Sequence, residues 1–465
     1  MEELFISRSK RTMIKYVFPL LSIMLFSMEG IAQQKGTEAK TSIALVLPDN
    51  YHQLGESVKT SAKEALLAQR ITAEITCHYY SGLDEASAQT FHDTDLVFID
   101  IIFPTKVERV LPLLNQLAKN GTTVFAVGAE EATDIGPYTN INWDTKTVDF
   151  YEQSGRENLV RMVLDHCQRT LGLDLPEQSP INIPDFALCN IQNNKVYGNF
   201  ESYRKEYDTY QEGNPWIAIN MWRSDFLSEQ LLPFQEYVRQ FEDHGFNVLC
   251  YYGFPTKDDV APLFYDNNGK LVPEVLLAQS AWLGANPHAN RATFERLSIP
   301  VINMIQVGQS ATAWMENDKG IEVYRRANEL SVPEQMGSIQ PIVTTSREAM
   351  DSLSPFTIKS PIASQVKRLV QKVQRFHVLR NKPNREKQLA IIYYSHPPGK
   401  ELLGASYLNV VPNSIHSILN RLKKEGYTLV GEPLTEDKIF KDISTYGINV
   451  GNWAPREIDK LVEKG

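Results

Sequence analysis

The chain has 465 residues, 42% of them hydrophobic and 22% charged, an ordinary globular composition with ample length to bury a core without disulfide or metal staples. At roughly 100–200 residues per domain, that length predicts two to four domains. A formal net charge of −9 with no long basic run in the body argues against nucleic acid, because phosphate binding needs a concentrated Lys/Arg footprint.

Arg8, Lys10, Arg11 and Lys15 precede an apolar run at 17–28, VFPLLSIMLFSM. Gly30, Ile31 and Ala32 follow, placing small residues at the minus-three and minus-one positions of a cut after Ala32. That is the layout of a secretory signal peptide over residues 1–32. The run falls short of the ~20 residues a membrane span needs. The body is therefore expected to be exported and periplasmic, or anchored and facing the periplasm if the leader stays uncleaved. Cys77, Cys167, Cys189 and Cys250 are widely spaced, fit no zinc knuckle and are expected as small buried hydrophobes. An oxidising compartment would allow one disulfide among them.

From Thr41 the pattern alternates between β-rich runs and amphipathic stretches. Strands are expected at 42–48, 74–80, 95–103 and 122–128, and helices at 54–69, 105–119 and 149–172. Asn120-Gly121 and Gly172 supply helix stops. Strands alternating with helices of this length predict βαβ units and a parallel sheet, here an N-terminal α/β domain at 41–175. Pro176, Pro180 and Pro184 lie among polar residues and mark a linker. Beyond it, strands at 216–221, 246–253, 274–283 and 300–306 with helices at 228–244 and 291–297 predict a second α/β domain over 185–350. Residues 351–387 carry a helix at 360–379 with apolar positions 366, 369, 370, 373 and 376 and a basic outer face, expected as a connector. A strand at 388–395, a Gly/Pro-rich loop and a helix at 414–425 open a third, incomplete unit over 388–465. The fold class is α/β: consecutive Rossmann-like or flavodoxin-like parallel-sheet units joined by helical linkers.

A more specific pattern lies further along. The run LRNKPNREKQLAIIYYSHPPGKELLGASYLNVVPNSIHSILNRLKKEGY resembles the signature of the CobN/magnesium-chelatase H subunit family, the large subunits of cobaltochelatase and its relatives. LLAQSAWLGANPHANRATFERLSIPVINMIQ, Ala313-Trp314 with Gly320, and VPEQMGSIQPIV are similar to further family segments in the same order. Met336 stands where the family usually has an acidic residue. The resemblance covers about 185–465 and corresponds to the amino-terminal portion of such a subunit, whereas residues 41–175 carry only a generic α/β pattern.

The resemblance implies binding of a tetrapyrrole, a porphyrin or corrin, with insertion or removal of Co, Mg or Fe; no other cofactor is indicated. A flat apolar disc with carboxylate edges needs aromatic walls and basic or amide donors at its rim. Moving a divalent ion needs a ligand and a base for the pyrrole protons. His396 and Lys400, in HPPGK at the end of an expected parallel strand, suit a ligand and a propionate partner, and Tyr407 suits a wall. The bland alternative is a loop shaped by Pro397, Pro398 and Gly399 around an idle histidine. His288 and Trp314 are further tetrapyrrole-binding candidates and Glu334 a second metal candidate. A turn role, core packing and a loop hydrogen bond, respectively, are the competing accounts. No H-E-x-x-H, Walker or G-x-G-x-x-G pattern is present.

Two functions are weighed. One is the tetrapyrrole-binding large subunit of a metal chelatase, or its front part, with the catalytic residues unassigned, acting with further chelatase subunits or the missing carboxyl-terminal part. Export would favour an imported macrocycle such as haem over cobalamin biosynthesis, because ATP-driven partner subunits are cytoplasmic. The other is a non-catalytic exported tetrapyrrole-binding module or carrier.

Overall fold

Seven residues of alternating size, TSIALVL, form the first strand because every second side chain finds a different apolar layer. Ile43, Leu45 and Leu47 enter a core with Leu54, Val58 and Phe150, while Ala44 and Val46 enter a second one with Val97, Ile99 and Leu114. A strand buried on both faces belongs in a parallel sheet covered by helices. The computed structural model describes residues 40–129, 131–253, 260–279, 287–350, 356–391, 411–430 and 435–446. In it, β1 (Thr41–Leu47), β2 (Ala73–Tyr79), β3 (Leu96–Asp100) and β4 (Thr123–Val127) make a parallel sheet in the order β2-β1-β3-β4.

The second sheet has eight strands: β5 (Ala187–Asn190), β6 (Lys195–Tyr197), β7 (Trp216–Met221), β8 (Asn247–Tyr252), β9 (Pro273–Ala278), β10 (Val301–Gln306), β11 (Ser338–Ala349) and β12 (Thr357–Pro361). Their order is β12-β11-β10-β9-β7-β8-β5-β6. The middle five, from β11 to β8, run parallel, and the β5–β6 hairpin and β12 are antiparallel edges. The chain is thus α/β with parallel sheets, and both sheets begin with the same winding: β1 lies between β2 and β3, and β7 between β8 and β9. That reversal of direction creates a crevice at the carboxyl ends of the strands. The described residues from Thr41 onward belong to one compact unit. No helix among the described residues is long and apolar enough to cross a membrane.

Several expected elements are shorter or broken. The strand expected to 103 stops at Asp100, whose carboxylate accepts the Ile102 backbone N–H at 2.9 Å and the phenols of Tyr80 and Tyr151, turning the chain off the sheet. The helix expected at 105–119 is two pieces, Pro104–Val107 and Leu111–Lys119, each with proline in its first turn. That at 149–172 breaks at Ser154 and Gly155, both at positive φ (59° and 79°), into Thr145–Gln153 and Gly155–Arg169. That at 228–244 begins only at Leu232 and runs to Asp243, because residues 228–231, with Glu229 at φ 60°, turn the chain after a separate short helix, Arg223–Leu227. The strand expected at 74–80 gives up Tyr80 to a 3-10 turn.

Four strands carry no clear sequence signal: β5 and β6 are short, and β11 and β12 mix Pro, Gln, Ser, Lys and Arg. The helix Ala363–Asn381 is more than a connector. Its Val366, Leu369, Val370 and Val373 complete the core beneath the second sheet, with Phe376 packed at its margin. Residues 388–391, the described part of the expected third-unit strand, pair with no strand among the described residues, and Leu389 and Ile391 stay exposed. The helix expected at 414–425 spans Val411–Lys424 and stops at Gly426, φ 84°. Cys167, Cys189 and Cys250 are buried, Cys77 is half-buried, and all four are unpaired.

Candidate functional site

The carboxyl ends of the two parallel sheets contribute to one cleft. A cavity of about 610 Å³ is lined by Tyr51 after β1, Ile101 and Ile102 after β3, Gly128 and Ala129 after β4, and Tyr151 and Ser154. Arg223, Ser224 and Leu227, following β7, close it from the other sheet. Asp100 does not line it but is fully buried behind two residues that do, bonded to Tyr151 and Ile102; burial pushes its carboxyl up while the Tyr151 and Tyr80 phenols and the Ile102 N–H hold it down. Gly128 is required beside it: at φ 75° a Cβ would come within 2.5 Å of the Ile102 side chain. With every Asp100 bond made internally, this carboxylate holds the strand ends in place.

Ser224 also lines a second cavity of about 290 Å³ at the crevice of the eight-stranded sheet. Here the lining is charged. Asp225 lies on the short helix after β7, Gln279 directly follows β9, and Asn303 lies within β10. Arg347 on β11 and Lys359 on β12 are direct cross-strand partners. Arg325 and Glu329 come from the segment between β10 and β11. Like charges directly opposite each other in a sheet repel. Asp225 offsets this by accepting Lys359 Nζ at 2.5 Å through Oδ1, and it attracts Arg347 through space without a direct bond. Both members of that pair are nearly inaccessible, 3% and 7% exposed. Burial outweighs their attraction: the Asp225 carboxyl is raised from its ordinary value and the Lys359 amine lowered.

Arg325 donates to Glu329 Oε1 (2.7 Å from Nε) and to the Gln306 carbonyl (2.5 Å). Arg347 differs. Among the described residues its guanidinium has no hydrogen-bond or ion-pair partner, and burial lowers its pKa from the ordinary arginine value. Three buried acceptors lining the same cavity, Asp225 Oδ2, Gln279 Oε1 and Glu329 Oε2, also have no hydrogen-bond partner. Buried polar atoms of native proteins are normally paired with protein or ordered water, so this concentration around one cavity makes it a candidate polar site.

The two α/β units are clasped beside these cavities. Gln230 Nε2 donates to the Asn50 carbonyl at 2.7 Å, Ser57 Oγ to Glu229 Oε2 at 2.5 Å, and Arg223 to the carbonyls of Gln153, Ile183 and Pro184. Arg156 pairs with Glu229 at 3.1 Å.

The residues expected from sequence to carry chemistry are placed differently. His396, Lys400 and Tyr407 lie outside the described residues. His288 is exposed in the first turn of the helix Pro287–Leu297, which packs against the helix Val332–Met336 carrying Glu334, also exposed. Met336 is buried and receives the Asn290 amide on its sulfur, so this departure from the family pattern serves packing. Trp314 is half-buried against Ile305, Val307, Val343 and Ile362, a core role. None of the three lines either cavity at the sheet ends. Among the described residues, no group of three His, Cys, Asp or Glu side chains is placed to hold a metal ion. The charged residues that do converge went unseen, because Asp225, Arg325, Glu329, Arg347 and Lys359 share no spacing. The signal that would have found some of them is positional: residues just past the strands flanking the reversal point, Trp222 to Asp225 and Gln279, face the crevice by topology.

Comparison with known proteins gives a consistent picture. The CobN/Magnesium Chelatase family model matches residues 148–464. The magnesium-chelatase subunit ChlH of Oryza sativa is 24% identical over 308 residues, 62% of this chain and 22% of that protein. The aerobic cobaltochelatase subunit CobN of Pseudomonas aeruginosa is 20% identical over 299 residues, 63% of this chain and 24% of that protein. Among solved structures, the catalytic subunit of cobaltochelatase from Mycobacterium tuberculosis shares the fold with a TM-score of 0.58 at 14% identity, over 88% of this chain and 33% of that one. The match therefore spans about a quarter or less of the length of these two sequence relatives.

Proposed function

Because this chain belongs to the CobN/magnesium chelatase family, we propose that it is the front portion of a chelatase-type large subunit and takes part in holding a tetrapyrrole during metal insertion or removal. The observation that carries the reading is the family match over residues 148–464. The larger cavity supports the reading through its apolar walls, Tyr51, Tyr151, Ile101, Ile102 and Leu227; its charged lining is Arg223, whose Nε and Nη2 already donate to backbone carbonyls, with Asp134 and Glu152. Its volume, about 610 Å³, lies within the range of small-molecule sites.

A titration of the full chain with haem, metal-free protoporphyrin and a corrin, followed by the macrocycle's visible absorption, tests the proposal. A saturable band shift is expected with at least one of them. Ile102→Glu, at a position 47% exposed and therefore tolerant, sets a carboxylate against the macrocycle's own acidic edge and should weaken that binding about tenfold. No shift with any macrocycle would end the reading.

Export is part of the same proposal and rests on residues 8–32. Fractionation and amino-terminal sequencing should find a periplasmic body beginning near residue 33. A cytoplasmic body with residues 1–32 attached would instead favour cobalt insertion within the cell.

A further inference from the structure

The smaller cavity invites a ligand of its own, independently of the macrocycle reading. Three cations (Arg325, Arg347, Lys359) and two carboxylates (Asp225, Glu329) line it, so its formal balance is one positive charge. Two of the cations are engaged: Lys359 by Asp225, Arg325 by Glu329 and the Gln306 carbonyl. The surplus charge is therefore localised on Arg347, held opposite Lys359 by strand register, attracted by Asp225 through space and without a hydrogen-bond partner for its guanidinium among the described residues. A planar guanidinium left open in a partly desolvated crevice suits a carboxylate, which it can meet with two parallel hydrogen bonds.

The three unpaired acceptors add a second requirement. Asp225 Oδ2, Gln279 Oε1 and Glu329 Oε2 can only receive hydrogen bonds, so the ligand must bring donors: hydroxyl, ammonium or amide N–H. An inorganic anion without protons, such as sulfate or chloride, would satisfy Arg347 and leave all three acceptors unmet. At about 290 Å³ the cavity is at the lower limit for small-molecule sites, room for a compact acid or for one substituted edge of something larger, not for a whole macrocycle.

We infer that the crevice formed by Asp225, Gln279, Glu329, Arg347 and Lys359 is a binding site for a carboxylate group flanked by hydrogen-bond donors, with Arg347 as its anchor. That group can belong to a free hydroxy- or amino-acid or to the acidic rim of a macrocycle lying across the cleft, since Ser224 borders both cavities.

The test is isothermal titration of the full-length chain with D-gluconate, L-glutamate and acetate, and with a dicarboxylic porphyrin and its dimethyl ester, in the wild type, Arg347→Gln and Arg347→Lys. Among the described residues the Arg347 guanidinium has no hydrogen bond or ion pair to lose, so Arg347→Gln should keep the wild-type circular dichroism. Arg347→Lys retains the charge while losing the planar fork and covers the case in which the first variant fails to fold. If the source is a free acid, gluconate or glutamate binds more tightly than acetate, and Arg347→Gln weakens it about 10- to 100-fold, Arg347→Lys by less. If the source is the macrocycle's rim, the small acids are silent while the porphyrin is weakened by either Arg347 variant and by esterification. Binding of every probe that is indifferent to both Arg347 variants, or no binding of any probe, overturns the inference. Porphyrin binding indifferent to Arg347 and to esterification would do so while leaving the macrocycle reading intact.

Discussion

Replacing Lys359 by methionine tests the electrostatic account of the crevice most directly. The substitution keeps an unbranched side chain one atom shorter and removes the charge that faces Asp225 at 2.5 Å. Asp225 is 3% exposed and its Oδ2 has no hydrogen-bond partner among the described residues, so the carboxylate left behind is buried with only the unbonded Arg347 guanidinium to offset it. Breaking one side of such a pair costs about 3–5 kcal/mol, whereas replacing both partners by neutral groups is commonly neutral or stabilising. Lys359→Met should therefore lower the urea midpoint substantially, and Asp225→Asn combined with Lys359→Met should recover most of the loss.

The sign of the pH dependence is fixed by the same geometry. The Asp225 carboxyl is already raised by burial, and Lys359 is the strongest influence holding it down, ahead of Arg347. Without Lys359 it rises further. A carboxyl whose folded pKa exceeds its unfolded value takes up its proton earlier in the folded state. Its stabilising contribution is thus full below the unfolded pKa and is lost as pH rises through the folded one. Measured against wild type at each pH, which cancels all other groups, the deficit of Lys359→Met should shrink between pH 7 and pH 5 by up to about 2–3 kcal/mol. A deficit below ~1 kcal/mol that is equal at both pH values, or a double variant no better than the single one, would refute the reasoning.

Three further outcomes follow from packing and ionisation elsewhere. His166 is fully buried, its Nε2 accepts from Arg169 at 2.8 Å, and burial with that guanidinium lowers its pKa to about 3. The folded state therefore refuses a proton that the unfolded chain takes up near pH 6.5. Stability is full above that pH and declines below it by about 1.4 kcal/mol per unit until pH 3, a slope that His166→Gln should flatten in urea titrations at pH 7 and 5. Leu369→Ala should cost about 2–5 kcal/mol by emptying the core beneath the second sheet, while Arg368→Gln, on the exposed face one residue earlier, should stay within about 0.5 kcal/mol. Gly253 has φ 87°, and a Cβ there would sit 2.2 Å from the Asp185 carbonyl oxygen. Gly253→Ala should cost at least about 2 kcal/mol, read as a lower thermal midpoint.

Much of the scaffold was legible in residue order because the forces that set it are local. Runs such as SIALVL and WIAINM are apolar on both sides, so they belong inside covered sheets wherever they occur. The helix carrying Val366, Leu369, Val370 and Val373 announced its buried face by spacing alone, though not that the face would close a core rather than bridge two domains. Family membership was legible for a related reason. Motifs such as the Pro-Glu-x-x-Gly turn keep their chemistry in sequence, and the Gly337 that ends that helix at φ 99° has a local requirement for glycine.

What residue order determined by itself was the alternation of buried strands and amphipathic helices, and through its motifs the family. Only the tertiary structure decided the crevice. Lys359 and Arg347 taken singly read as solvated surface charges, as most such residues are. Strand register sets them opposite each other, and winding brings Asp225 to them across 134 positions of chain. Burial then turns ordinary side chains into a charged cavity with one cation and three acceptors unanswered. Charge and desolvation depend on distance in space, and no spacing along the chain encodes a distance that five separate elements must fold to create.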